Sequence, residues 1–292
     1  MRRDEINIRD PFVLVHDGMY YLYGTRAETC WGEANGFDVY VGRSLDDWDG
    51  PHECFHNDGT FWADRNYWAP EVYAYRGAFY MFASFKRNGI CRGTAVLRAD
   101  SPLGPFVPHS NGCVTPADWE CLDGTLYISK QGKPYMVFCH EWVQISDGEV
   151  CAMPLTDDLR AADGVPRVLF RAGDATWSKL MHHSSGMNGY VTDGPFLWRT
   201  ESGTLLCLWA GFSDDGYTEG VAVSSNGEID GFFQQEEPLF RKDGGHGMIF
   251  RDLEGHLYLT LHSPNEHLKE RPYFYKLIET GSRLQKTDPL AN

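Results

Sequence analysis

At 292 residues the chain has room for one medium-sized domain, and a hydrophobic fraction of 42% supplies a core for it. A formal net charge of −15 argues against a nucleic-acid partner, because neutralising phosphates takes a basic surface; it is equally the charge of an ordinary acidic surface and names no ligand. No run approaches the roughly 18 apolar residues of a membrane span. The start, Met1-Arg2-Arg3-Asp4-Glu5-Ile6, has basic residues with no apolar stretch behind them, so it does not read as a signal peptide. The eight cysteines form no CxxC pair and no framework spacing. Read as reduced thiols, they place the protein in the cytoplasm.

Taken in order, the chain opens on Asp10-Pro11-Phe12-Val13-Leu14-Val15-His16, turns at Asp17-Gly18, and returns through Met19-Tyr20-Tyr21-Leu22-Tyr23. An Asp-Gly pair between two β-forming runs is a strong hairpin signal. The pattern recurs from Ala69 through Gly77, from Asp123 through Gly132, from Asp193 through Gly203 and from His246 through Gly255, each glycine eight to ten residues after its anchor. Behind each hairpin comes a further strand: Val39-Tyr40-Val41, Ala95-Val96-Leu97, Val150-Cys151-Ala152, Val221-Ala222-Val223 and Tyr273-Phe274-Tyr275. They begin 29, 26, 27, 28 and 27 residues after their anchors. Recurrence on this scale means an array of equivalent sheets. Five of them closed radially make an all-β, five-bladed β-propeller, one domain over residues 1–292, with blades beginning near 10, 69, 123, 193 and 246. The nine Trp, fifteen Tyr and seventeen Phe suit the packing of twisted sheets face to face.

In a propeller the innermost strands start at equivalent places around a central channel. The anchors Asp10, Ala69, Asp123, Asp193 and His246 therefore bring three carboxylates and an imidazole into one funnel. Each Asp taken alone reads first as a turn or cap residue. Three at one register is harder to dismiss, since crowded like charges are costly unless they share protons, bind a metal or meet a substrate.

Arg9-Asp10-Pro11, Trp68-Ala69-Pro70-Glu71-Val72, Leu122-Asp123-Gly124-Thr125 and Thr192-Asp193-Gly194-Pro195 resemble glycoside hydrolase family 43, in that family's order and over nearly the whole chain. The resemblance implies a five-bladed propeller that inverts anomeric configuration. It assigns the general base to Asp10, the residue that orients the acid and tunes its pKa to Asp123, and the general acid to Asp193. The family's acid is a Glu in a Glu-Gly-Pro motif, so this chain departs by one methylene. An inverting enzyme needs a carboxylate to activate water and a carboxylic acid to protonate the leaving oxygen, roughly 6.5–9.5 Å apart. A third carboxylate near the acid helps keep it protonated.

Several other residues have two readings. The position of His246 in some relatives helps hold a cation, often calcium with water, in the channel; no cofactor is required for the chemistry, and a hydrogen-bonding histidine is the alternative. Trp68 is a sugar-stacking platform or a buried blade tryptophan. Glu71, two residues into an inner strand on the anchor's side, is a substrate contact or a polar strand-end residue. Glu141 is the backup acid, with Glu120 behind it. His183, in the His182-His183 loop before the fourth blade, is expected to touch substrate. The function expected is an exo-acting glycosidase on oligosaccharide or polysaccharide side chains, releasing a pentose or furanose sugar as an α-L-arabinofuranosidase, β-xylosidase or β-galactofuranosidase-like enzyme. Alternatives are an endo-arabinanase or endo-xylanase and a non-catalytic carbohydrate-binding propeller. A retaining fructan-hydrolase-like enzyme fits less well, because such enzymes carry a C-terminal β-sandwich for which there is no length. Oligomeric state is left open.

Overall fold

The computed structural model describes residues 1–182 and 186–290. Strands make up 59% of it and helix 3%, which leaves no role for an α/β architecture. Five four-stranded antiparallel sheets each take their strands in chain order, and they form the five blades of a propeller. Blade 1 runs through Ile8–His16, Met19–Arg26, Gly36–Gly42 and Trp48–His56, and blade 2 through Arg65–Tyr75, Ala78–Arg87, Ile90–Ala99 and Val107–Cys113. Blade 3 comprises Cys121–Ile128, Pro134–His140, Glu149–Pro154 and Arg167–Arg171, and blade 4 Asp193–Arg199, Leu205–Ser213, Gly216–Ser224 and Phe232–Gln234. Blade 5 comprises Gly245–Arg251, Leu257–Ser263, Arg271–Thr280 and Arg283–Pro289. The expected hairpins are present, and each blade adds a fourth, outer strand. Asp17 and Gly18 have φ of 47° and 72°. Two successive positive φ angles match the right-handed twist of the flanking strands, as a two-residue type I′ hairpin requires.

The core lies between blades rather than along one axis. Phe37 and Phe55 of blade 1 meet Tyr67 and Phe85 of blade 2, the Tyr67 and Phe85 rings 4.8 Å apart and edge to face. A second layer joins blades 3 and 4 around Val137, Phe170, Trp177 and Trp209, and a third joins blades 2 and 3 around Phe82, Met136 and Phe138. Blades 1 and 5 exchange no strand. Side chains and backbone join them instead: Arg3 to the Leu290 carbonyl at 2.8 Å, Asn7 to the Glu270 carbonyl at 2.7 Å, and Arg9 to the Glu270 carboxylate at 2.7 Å.

One irregularity, repeated five times, positions the site. The first strand of every blade carries a bulge near its start, between Arg9 and Phe12, Trp68 and Glu71, Leu122 and Thr125, Asp193 and Phe196, and Gly245 and Met248. Within it one residue adopts a left-handed backbone: Asp10 (φ 53°), Ala69 (47°), Asp123 (56°), Gly194 (51°) and His246 (56°). Such a residue re-aims its side chain. Each bulged amide is also held by a group from the preceding blade. Asp10 N donates to His262 Nδ1 at 3.1 Å, Ala69 N to Thr25 Oγ1 at 2.7 Å, Asp123 N to Ser84 Oγ at 2.8 Å and Gly194 N to Asp123 Oδ2 at 3.0 Å. In blade 5 the bulge donates to Glu219, with Gly247 N at 3.0 Å from Oε2.

Candidate active site

The bulges correct the sequence register. The residue of blade 4 equivalent to Asp10, Ala69, Asp123 and His246 is Gly194, and Asp193 stands one place earlier, level with Arg9, Trp68, Leu122 and Gly245. Two rings of positions thus face the funnel. Glycine is required at 194: its φ is positive, and a Cβ there would come 2.7 Å from the His246 ring.

A pocket of about 370 Å³ of empty space is lined by Arg9, Asp10, Trp31, Trp68, Leu122, Asp123, Asp193, Tyr217 and His246. The three carboxylates and the histidine therefore do converge. Asp10 is 9% exposed, and its Oδ2 accepts from Thr25 Oγ1 at 2.6 Å. Its Oδ1 lies 3.2 Å from His246 Nδ1 and 3.4 Å from His262 Nδ1. Burial alone would raise the Asp10 pKa, but neighbouring histidines, Arg9 and the Thr25 hydrogen bond outweigh it, and the carboxyl sits below its ordinary value. His262 is itself driven down to about 3 by burial and by Arg9. Being neutral, it contributes an acceptor for the Asp10 amide rather than a charge, and the ionised state of Asp10 rests on His246, Arg9 and Thr25.

The other two carboxyls go the opposite way. Burial, with Asp10 close by, lifts Asp123 to about 8. Burial and Asp123 lift Asp193 to about 7, against the pull of His246 and of a hydrogen bond from Tyr217. One pocket therefore holds a carboxyl whose charged form is favoured and a neighbouring pair that favours keeping a proton near neutral pH, an arrangement that can serve acid and base chemistry together. Asp123 accepts the amide next to Asp193, so it anchors the segment that carries Asp193.

Trp68 reaches the pocket edge-on to Trp31, with ring centroids 5.6 Å apart. The Arg92 guanidinium covers one Trp68 face at 4.0 Å, and the indole N–H donates to the Cys30 carbonyl. Two expected contacts lie elsewhere. Glu71 is buried outside the lining, bonded to the Tyr73 hydroxyl, with burial raising its pKa to about 7; side-chain alternation was distorted by the bulge it follows. Glu141, the backup acid, is buried against Arg92 and does not line the pocket. Glu120 is paired with Lys86. His183 lies outside the described residues; its neighbour His182 is exposed and meets Asn188 at 2.7 Å.

Protein atoms alone place two carboxylates beside His246, so a calcium ion held there would take most of its six to eight oxygens from water. The oxygens His246 meets belong to Asp10 and Asp123, at 3.2 and 3.7 Å, and these already accept from Thr25 and the Gly194 amide. His246 bridges two carboxylates. Arg9, Trp31, Leu122 and Tyr217 were not singled out from the sequence. Arg9 and Leu122 each immediately precede a bulge residue, a signal that was readable; Trp31 lies in a connection and Tyr217 on a third strand, where no repeat marks them.

Residues 5–279 match the sequence profile of glycosyl hydrolases family 43, and the chain belongs to that family. An endo-arabinase from Bacteroides thetaiotaomicron VPI-5482 has 38% sequence identity and a TM-score of 0.91, over 97% of this chain and 98% of that one. An extracellular exo-α-(1→5)-L-arabinofuranosidase of Cellvibrio japonicus is 24% identical over 212 residues, 67% of this chain and 56% of the relative, so the chain spans a little over half the length of that curated relative. An α-L-arabinofuranosidase from Lactobacillus brevis shares the fold, at 16% identity and a TM-score of 0.69 over 94% of both chains.

The extracellular relative overturns the expectation of a cytoplasmic protein. That expectation leaned on eight unpaired cysteines. Six of them are buried, and burial raises the thiol pKa, to about 12 at Cys30 and Cys151. Such thiols behave as small inert hydrophobes in any compartment, so their unpaired state says nothing of where the protein works. Among the described residues no helix is long and apolar enough to cross a membrane.

Proposed function

We propose that the chain is an inverting, exo-acting hydrolase that removes terminal pentofuranosyl units, with α-L-arabinofuranosyl residues of arabinan-type chains as substrate. The observation that carries this reading is the convergence of Asp10, Asp123 and Asp193 on one pocket, where their surroundings hold Asp10 low and lift the other two. Asp10 takes a proton from the attacking water. Asp193 gives a proton to the departing glycosidic oxygen as the bond to the anomeric carbon breaks. Attack from the face opposite the leaving group inverts the anomeric centre. Asp123 holds the acid's backbone, and because both carboxyls share one buried site their joint ionisation is disfavoured, which keeps a proton on the pair. Trp68 and Trp31 offer the apolar wall for a sugar ring.

The exo mode is favoured by the likeness to the exo-acting arabinofuranosidase of Cellvibrio japonicus. A second reading, internal cleavage, is favoured by likeness to the endo-arabinase along nearly the full length of both chains. Linear arabinan and defined arabino-oligosaccharides separate the two. An exo enzyme yields monosaccharide from the first minutes with little loss of viscosity, its first-formed anomer inverted by NMR. A rapid fall in viscosity with mixed oligomers overturns the exo mode. No turnover on pentofuranosides overturns the substrate class.

A further inference from the structure

Four of the five positions just before the bulges carry a side chain into the pocket, and the fifth, Gly245, has none. Its place is taken from the neighbouring blade. A Cβ on Gly245 would come within 2.9 Å of the Tyr217 ring, which fills that space. The ring lies on His262, centroids 5.5 Å apart and 26° between planes, and Tyr217 is 2% exposed. Its backbone is fixed on both sides, the amide to Asp243 Oδ1 at 3.3 Å and the carbonyl to the Gly244 amide at 2.9 Å. From this held ring the hydroxyl donates to Asp193 Oδ2 at 3.0 Å.

We propose that Tyr217 is the positioning residue for Asp193: its hydroxyl occupies Oδ2, so the transferable proton is carried on Oδ1, turned to the pocket. This rests on the reading of Asp193 as general acid. A carboxyl that rotates freely spends much of its time with the proton misdirected, and a short Asp side chain has little reach to recover. Burial raises the Tyr217 pKa well above the ordinary value, so the phenol stays a donor throughout the working range. The ionisable groups facing Asp193 are Asp123 from blade 3, Asp10 from blade 1 and His246 from blade 5, with Cys139 and Glu219 behind it. Of these and Tyr217, only His246 and Tyr217 favour its charged form.

Removing the hydroxyl therefore has two signatures that a merely structural residue lacks. In Tyr217→Phe, kcat on substrates with a sugar leaving group falls about tenfold, while a 2,4-dinitrophenyl glycoside, whose leaving group departs unaided, is nearly unaffected. The basic limb of the pH–kcat profile moves to higher pH, because a hydrogen bond to the carboxylate form is gone. Gly245→Ala keeps the hydroxyl but pushes the ring aside, and shifts both readouts the same way; it decides the matter if Tyr217→Phe does not fold by circular dichroism. Wild-type rate and profile in the folded variants, or equal losses on both leaving groups with an unmoved profile, overturn the proposal. If Asp193→Asn loses equally on both leaving groups, the parent reading of Asp193 falls and takes this one with it. If only the Tyr217 and Gly245 variants behave as wild type, the parent reading stands and this one alone fails.

Discussion

Asp10 is held in a backbone conformation that costs a non-glycine residue about 1–2 kcal/mol, and Asn is one of the few residues that share its tolerance of it. Asp10→Asn should therefore keep the bulge, with stability within about 1 kcal/mol of wild type in thermal melts. Without a base, kcat should fall about 10²–10⁴-fold. Retained turnover would make Asp10 a turn residue. The pH behaviour follows from the pKa directions. With the roles proposed above, activity needs Asp10 ionised, which holds down to below the ordinary carboxylate value of 3.8, and a proton on Asp193, lost as pH passes about 7 to 8. Asp123→Asn removes a like charge and should move the basic limb of the pH–rate profile downward. For stability the sign is fixed as well. Carboxyls whose folded pKa is raised stabilise fully below about pH 4 and lose that contribution as pH rises through about 7 to 8. Melting temperature should thus fall over this window, less steeply in Asp193→Asn. The residues responsible were largely legible: Asp10, Asp123 and His246 share a register in the repeat. Asp193 was found one place out of register, although Pro11, Pro70 and Pro195 mark Gly194 as the true equivalent. Tyr217 was not legible, because its role depends on the space that Gly245 leaves empty.

At the scale of elements, hairpins with glycine turns were readable because period-two apolar runs and positive-φ turns both leave local marks. Outer strands were not. Val107–Cys113 reads Val-Pro-His-Ser-Asn-Gly-Cys, and Phe232–Gln234 has three residues; both edges are mostly polar or short, which protects them from pairing with another chain. Glu141 was also illegible. It caps a single turn of helix, Trp142–Ile145, and meets Arg92 of blade 2, 49 residues away in sequence. Arg92 in turn lies over Trp68. With side chains 4% and 12% exposed, the pair is a buried one. Glu141→Ala should cost about 3–5 kcal/mol in denaturant melts, since it leaves a buried guanidinium uncompensated. It should not create the dependence on leaving group that loss of an acid creates. Such a dependence would return Glu141 to the role of proton donor.

In the molecule as a whole, five sheets were predictable from the repeat, but how the ring shuts was not. The seam between blades 1 and 5 is made by Arg3, Asn7, Arg9, Glu270 and Arg271, the last reaching the Asp4 carbonyl at 2.8 Å. Apart from Arg9, which precedes a bulge residue, none of these carries a sequence signal of its own. Arg9 belongs to both seam and pocket, and the pocket spans Arg9 to His246. This ties catalysis to the order of events in time. Contacts between distant parts of a chain form late, because closing long loops is entropically costly. Each blade is local in sequence and can gather early, while Asp10 meets His246 only when the first and last blades dock. On dilution from denaturant, the far-UV β signal should recover first and turnover should lag behind it. On the ribosome, a nascent chain lacking blade 5 would carry Asp10, Asp123 and Asp193 and still be inert, so the enzyme is silent until its last blade has been made.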